Sequence, residues 1–395
     1  MSAYNHTPSL TNTEVVLDLP CDEEFWQAES VASFNELGGI AQANHNRVSF
    51  HSALAQLLSS REKEMSDSRM DRPFNTFPSA EGAEASSLRP STFGCLILIN
   101  ALHNYIWETR QRHHSIIWTK EETEKMHAYI EPALRAWRAA WDANPRHSVE
   151  RPNPFGLGPL SADCIPLLDL AYVRLFVNLS RSKEKFWKRD YEGMAAELSR
   201  DSEVSQHAEY SSESDSNLEM SIRMLDNNMA DRAGIRTSSR HELHLRKAAF
   251  HAANSLAMAD KLGVSFADFA TRELPLQSAM CAFDCAQVLA EWVATVQERV
   301  GRYVGILGRH DTSLESPAII LLEEDDLKLL MKCQEILRSA DVKLGWSVES
   351  SMGSDVGHPF VQDMEGCGYG SKILRVTAYM LDKAAVWPGQ LFPII

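Results

Sequence analysis

Long apolar runs are missing from this chain. Cys95–Ile99 and Ala318–Leu322 are among its longest unbroken apolar stretches, far short of the roughly 20 residues that cross a bilayer, so no membrane span is expected. A dense basic patch is missing too. Lys and Arg total 39 against 54 Asp and Glu, a formal charge of −15, and adjacent basic pairs occur only at Lys188-Arg189 and Arg246-Lys247. A surface that grips nucleic acid must neutralise phosphates, so this balance speaks against DNA binding by the chain's own surface and offers no polybasic import cluster. Cysteine is scarce and odd in number, at positions Cys21, Cys95, Cys164, Cys281, Cys285, Cys333 and Cys367. The opening MSAYNHTPSLTNTE has neither the basic start nor the apolar core of a secretory signal. Together these features point to a reducing compartment. No alternation of period two persists over six residues, which leaves no credible sheet and makes the expected class all-α.

What the chain does have is helical periodicity around the stretch Leu160–Leu198. Ile165, Leu168, Tyr172, Leu175, Phe176 and Leu179 recur at three, four and seven, with Val173 and Val177 widening the apolar surface. Asp163, Arg174, Asn178 and Arg181 share one sector and are expected to be the wet face. Asp169 falls on the apolar side, where a carboxylate is costly without a donor. A buried acid paired with another helix is the simpler reading, a catalytic acid the sharper one.

Further helices are expected at Asp22–Asn35, Ser49–Arg61, Phe93–Arg112, Glu121–Asn144, Arg240–Gly263, Leu276–Tyr303, Asp325–Ala340 and Ser371–Val386. Pro132 should kink or split the fourth of them, and Met352–Gly370 reads as a glycine-rich loop. Between Glu192 and Glu219 eight acids face one base, Arg200, a composition of solvated chain. Ser212, with Asp215 three residues on, fits an acid-directed kinase as a pattern.

Catalytic and metal patterns fail on spacing. His241, His244 and His251 share a helical face, but the rise from His244 to His251 is about 10 Å, too far for one ion. HELH misses HExxH by one residue. Cys281 and Cys285 at i, i+4 read as packed thiols. The acids Glu323–Asp326 suggest a magnesium site of an all-α prenyl-diphosphate enzyme, yet position 329 is Leu, and a helix N-terminus explains them more simply. GCGYGSK matches neither phosphate-cradling glycine pattern. No catalytic, cofactor or metal residue is therefore assigned.

Two stretches carry a family resemblance. LDLPCDEEFWQAES, Leu17 to Ser30, and LLDLAYVRLFVNLSRSKEKFWKRDYEGMA, Leu167 to Ala195, resemble the regulatory, or middle homology, region of fungal-specific zinc-finger transcription factors. FGCLILINALHNYIWETRQR and AAFHAANSLAMADKLG are similar to its other helices in order and character. The resemblance implies a multi-helix regulatory array, nuclear location and control of RNA polymerase II transcription through coregulators, the transcription machinery or a small ligand, with homodimerisation among the options. It also implies zinc and DNA binding in a separate N-terminal module. No finger spacing occurs in this sequence, so zinc is expected only in a module the chain lacks, and no cofactor is expected here. That gap suggests a truncated gene model, an alternative product or a finger-free regulator. Truncation would leave the Phe93–Arg112 face uncovered. The expected organisation is a tail over 1–16, helical parts over 17–198 and 240–395, and an acidic serine-rich loop over 199–239. The alternatives are a prenyl-type enzyme and a finger-free helical interaction protein. Trp26, Trp107, Trp137, Trp141 and Trp187 are candidate anchors for packing or for a partner groove.

Overall fold

The computed structural model describes residues 8–45, 47–60, 88–111, 120–150, 153–157, 160–200, 240–261, 276–300, 322–343 and 368–383. Among them are thirteen α-helices and no strand; the one β-bridge joins Asp18 and Ser49. They are α1 (Glu23–Trp26), α2 (Val31–Glu36), α3 (Gly39–Ala43), α4 (Phe50–Leu58), α5 (Thr92–Gln111), α6 (Lys120–Asp142) and α7 (Leu160–Phe176). After these come α8 (Ser180–Trp187), α9 (Tyr191–Arg200), α10 (Arg240–Lys261), α11 (Leu276–Val300), α12 (Glu324–Lys343) and α13 (Tyr369–Lys383). The chain divides into two compact units. The N-terminal unit holds residues 6–116 and 121–175, and the C-terminal unit holds 1–5, 117–120 and 176–395.

The core of the N-terminal unit is built by α5, α6 and α7. Leu98, Ile99, Leu102, Ile130, Leu134, Trp137, Ala171, Val173 and Leu175 are wholly buried there. Polar side chains tie these helices through carbonyl oxygens. Trp137 Nε1 donates to Cys95 O at 3.1 Å, and His103 Nε2 donates to Leu167 O at 2.9 Å. The last turn of α7 has carbonyls with no helical partner. Arg110 Nη2 and His127 Nε2 both donate to Leu175 O at 2.9 Å, a C-cap supplied by two other helices. Phe93 is exposed at the start of α5, but its apolar face through Cys95, Leu98, Ile99, Leu102 and Ile106 is buried.

Local chemistry corrects several expected boundaries. The helix expected over Asp22–Asn35 is two short ones, because Ser30 Oγ accepts from Ser33 N at 3.1 Å and caps a new start. Pro132 does not split α6: Ile130, Ala133, Leu134 and Trp137 around it are fully buried, and that packing outweighs one lost backbone bond. The wet face assigned to Asp163, Arg174, Asn178 and Arg181 does not form. Asp163 is buried, and α7 stops at Phe176, so residues 178 and 181 lie off its wheel. Asn178 Oδ1 instead accepts from Ser180 N at 3.1 Å and opens α8.

In the C-terminal unit α10 presents Ala248, Ala249, Ala252 and Ala253, all at zero exposure, to its neighbours α11 and α12. Helix α13 packs on α11 and α12. Gly370 belongs to α13 and not to a loop. A Cβ there would lie 3.3 Å from Ala290 O and 3.5 Å from Val293 Cγ1, so glycine permits the close crossing of α13 over α11. Despite its short apolar runs, α11 contains a window, Ala279–Gln297, long and apolar enough on average to cross a membrane, with mean hydropathy 1.3. Of that window 67% is buried inside the protein, the pattern of a core helix.

Candidate functional site

The segment Leu17–Trp26, which carries the LPCDEEFW motif, forms one wall of a cleft in the N-terminal unit. Leu19 N donates to Val48 O at 2.9 Å and Phe50 N to Leu17 O at 3.0 Å, which fixes the Leu17–Leu19 end of the segment as extended chain beside α4. Ser91 then anchors it to α5. Its Oγ accepts from Gly94 N at 3.1 Å, as an N-cap, and donates to Pro20 O at 2.8 Å. Arg146 Nη1 meets Glu24 Oε2 at 2.7 Å and holds the other end, while Arg47 is paired with Asp18.

Two adjoining hollows result. The larger, about 270 Å³, is lined by Leu19, Cys21, Trp26, Val48, Leu88 and Pro90 among others. The smaller, about 230 Å³, is lined by Glu23, Thr92, Asn144 and Arg146. Asp22 and Arg89 line both. Behind the smaller hollow lies His147, 8% exposed. Its Nδ1 sits 2.9 Å from Trp141 O. A carbonyl only accepts, so Nδ1 carries the proton. Nε2 then accepts from Thr92 Oγ1 and Asn144 Nδ2, each at 3.3 Å. Burial lowers the imidazole's pKa against the smaller upward pulls of the Trp141 carbonyl and Asp22, and Arg89 adds to the lowering. The ring is a neutral cross-link stacked on Trp141 at 5.3 Å. Thr92, its partner, is 2% exposed and gives its hydroxyl to the ring.

Residues singled out in the sequence lie elsewhere. Asp169 is buried, at 9% exposure, near Tyr172, whose hydroxyl burial pushes up to about 12, Asp169 adding to the shift. Ser212 lies outside the described residues. The acids at 323–326 do not converge. Arg246 Nη1 binds Glu323 at 2.6 Å and Asp326 at 3.3 Å, Asp326 Oδ2 accepts from Glu323 N at 3.2 Å, and Glu324 and Asp325 are exposed. His244 stacks on Phe176 and His251 meets Phe250 edge-on. Cys281 and Cys285 are buried, with Ser255 Oγ 3.3 Å from Cys281 Sγ; the hydrogen bond between the two thiols, followed by burial, raises the pKa of Cys285. Among the described residues no three His, Cys, Asp or Glu side chains gather as a metal site, so they do not fit a zinc centre. Of the tryptophans, Trp137 and Trp141 are buried, Trp107 and Trp187 half-buried, and Trp26 is 72% exposed.

Sequence reasoning missed His147, Arg89 and the buried pair Lys183–Asp284, where Nζ and Oδ2 are 2.6 Å apart. Each depends on a partner distant in sequence.

With these placements in hand, comparison with known proteins assigns the later helices. Residues 216–391 match the fungal transcription factor C-terminal domain. The range contains α10 to α13, and with them the stretch AAFHAANSLAMADKLG that carried part of the resemblance. Leu17–Ser30 and Leu167–Ala195 lie outside it. The match supports a transcription-regulatory role at the level of the family. No curated protein and no solved structure matches the chain.

Proposed function

We propose that the chain acts in the nucleus as a regulatory module of RNA polymerase II transcription, and that it works by holding a coregulator or a protein of the transcription machinery. The family match supports the setting. One structural observation supports the mode. Of the fourteen large apolar side chains exposed among the described residues, seven lie between Leu10 and Ile40. Val16, Leu17, Trp26, Val31 and Ile40 are each more than 70% exposed, although the helices beneath them have a filled core. A concentration of this kind marks a surface that binds an apolar face of another protein. The partner on this reading presents such a face, with Trp26 as the anchor.

A tethered reporter assay tests it. The chain is fused to an unrelated DNA-binding module upstream of an RNA polymerase II reporter and compared with a variant carrying Val16→Ser, Leu17→Ser, Val31→Ser and Ile40→Ser. The wild-type fusion is expected to shift reporter output, and the variant to return it to the level of the module alone with helicity unchanged. A silent wild-type fusion, or a variant as active as wild type, contradicts the proposal.

A further inference from the structure

The geometry points to the Asp22–Arg89 cleft as a binding site for a free α-amino acid with a large apolar side chain. The argument starts from two charges. Asp22 and Arg89 line the same two hollows, and both act electrostatically on His147, so they share one neighbourhood. The neighbouring ions are already matched, Arg47 with Asp18 and Arg146 with Glu24. Among the described residues Asp22 and Arg89 form no ion pair, with each other or with a third group. Asp22 also acts on Arg146, whose ion pair is with Glu24; a carboxylate and a guanidinium that line the same hollows without pairing present one acceptor and one forked donor to the same space. The complementary ligand carries both an ammonium and a carboxylate.

The rest of the cleft selects among zwitterions. The larger hollow is walled by Leu19, Trp26, Val48, Leu88 and Pro90, a receptacle for an apolar side chain under an exposed indole. The smaller is walled by Thr92 and Asn144 beside the charges, which suits the polar end. At about 270 Å³, the larger hollow falls below the range of about 300–1,000 Å³ typical of drug-sized sites, which favours a ligand of one residue over a longer peptide. Bound there, the ammonium faces Asp22, the carboxylate faces Arg89, and the side chain lies beneath Trp26. The site shares Trp26 with the protein contact proposed above, but its charges at Asp22 and Arg89 lie outside the four serine substitutions, so the failure of one reading is told apart from the failure of the other.

Calorimetry and thermal melting of the full chain test it, with L-leucine and L-phenylalanine as probes and N-acetyl-leucine and leucine amide as controls. The free amino acids are expected to bind saturably at millimolar concentration or below and raise the melting temperature, whereas each control, lacking one charge, binds about tenfold or more weakly. Arg89→Gln is expected to bring leucine down to the level of leucine amide, and Asp22→Asn to bring it down to that of N-acetyl-leucine. Both substitutions are at the cleft surface, and unliganded melting temperatures equal to wild type show that the fold is intact. If no free amino acid binds the wild-type chain, or if binding is indifferent to blocking either charge or to both variants, the assignment is overturned.

Discussion

The two units are held together by different chemistry. In the N-terminal unit the long-range ties to the core helices are neutral or singly charged donors given to backbone carbonyls, Asn12 to Ala101, Trp137 to Cys95, His103 to Leu167, Arg110 and His127 to Leu175, while its long-range ion pairs, Arg146–Glu24 and Arg47–Asp18, lie at the surface. In the C-terminal unit the ties are ion pairs and close helix crossings. Lys183 and Asp284 are 6% and 0% exposed, Arg246 bridges Glu323 and Asp326, and Gly370 sits against Ala290. The contrast teaches where each unit is vulnerable. A carbonyl inside a helix that loses its side-chain donor retains its helical bond, and Leu175 O retains a second donor, whereas a buried carboxylate that loses its lysine loses the charge that offsets its own.

The largest expected effect follows from that asymmetry. Lys183→Ala should destabilise the C-terminal unit by about 3–5 kcal/mol, while the apolar replacement Lys183→Met with Asp284→Leu should recover most of the loss. Denaturant melts of the single and double variants measure this, and equal losses would erase the contrast. Next comes the close crossing: Gly370→Leu should cost about 1–3 kcal/mol by forcing α13 away from α11. Deleting one carbonyl tie, as in His127→Leu, should cost nearer about 1 kcal/mol.

A smaller effect separates the units by pH. His147 is buried neutral with its pKa lowered, so the unfolded chain takes up its proton first. The contribution is complete above the ordinary histidine value near 6.5 and is lost as pH falls through the lowered folded value. Melts of wild type and His147→Gln across pH 5 to 8 should diverge on the acid side only. The smallest expected effect is at the exposed apolar surface, where Val16→Ser and Leu17→Ser should change stability by no more than about 0.5 kcal/mol.

How much of this was legible depended on distance along the chain. The stripe Leu96, Ile99, His103 and Ile106 announces α5 in the sequence itself, and the structure buries Ile99, His103 and Ile106 and leaves Leu96 half-buried. The acidic start of α12 was equally readable. What stayed hidden was chemistry completed by remote partners. Lys183 and Asp284 lie 101 positions apart, and Arg89 and Asp22 line one cleft where Ser91 fastens Pro20 to α5. Periodicity also extended α7 too far, since Asn178 fits the wheel but serves as the start of the next helix.

The central claim is that the regulatory work is done at the exposed apolar surface of residues 16–40 and not in the packed core. Reporter output from the tethered chain, measured side by side for the four-serine surface variant and for Lys183→Met with Asp284→Leu, tests it most directly. The account predicts baseline output from the surface variant and wild-type output from the core variant. Activity kept by the first and lost by the second, with both proteins folded, would contradict it.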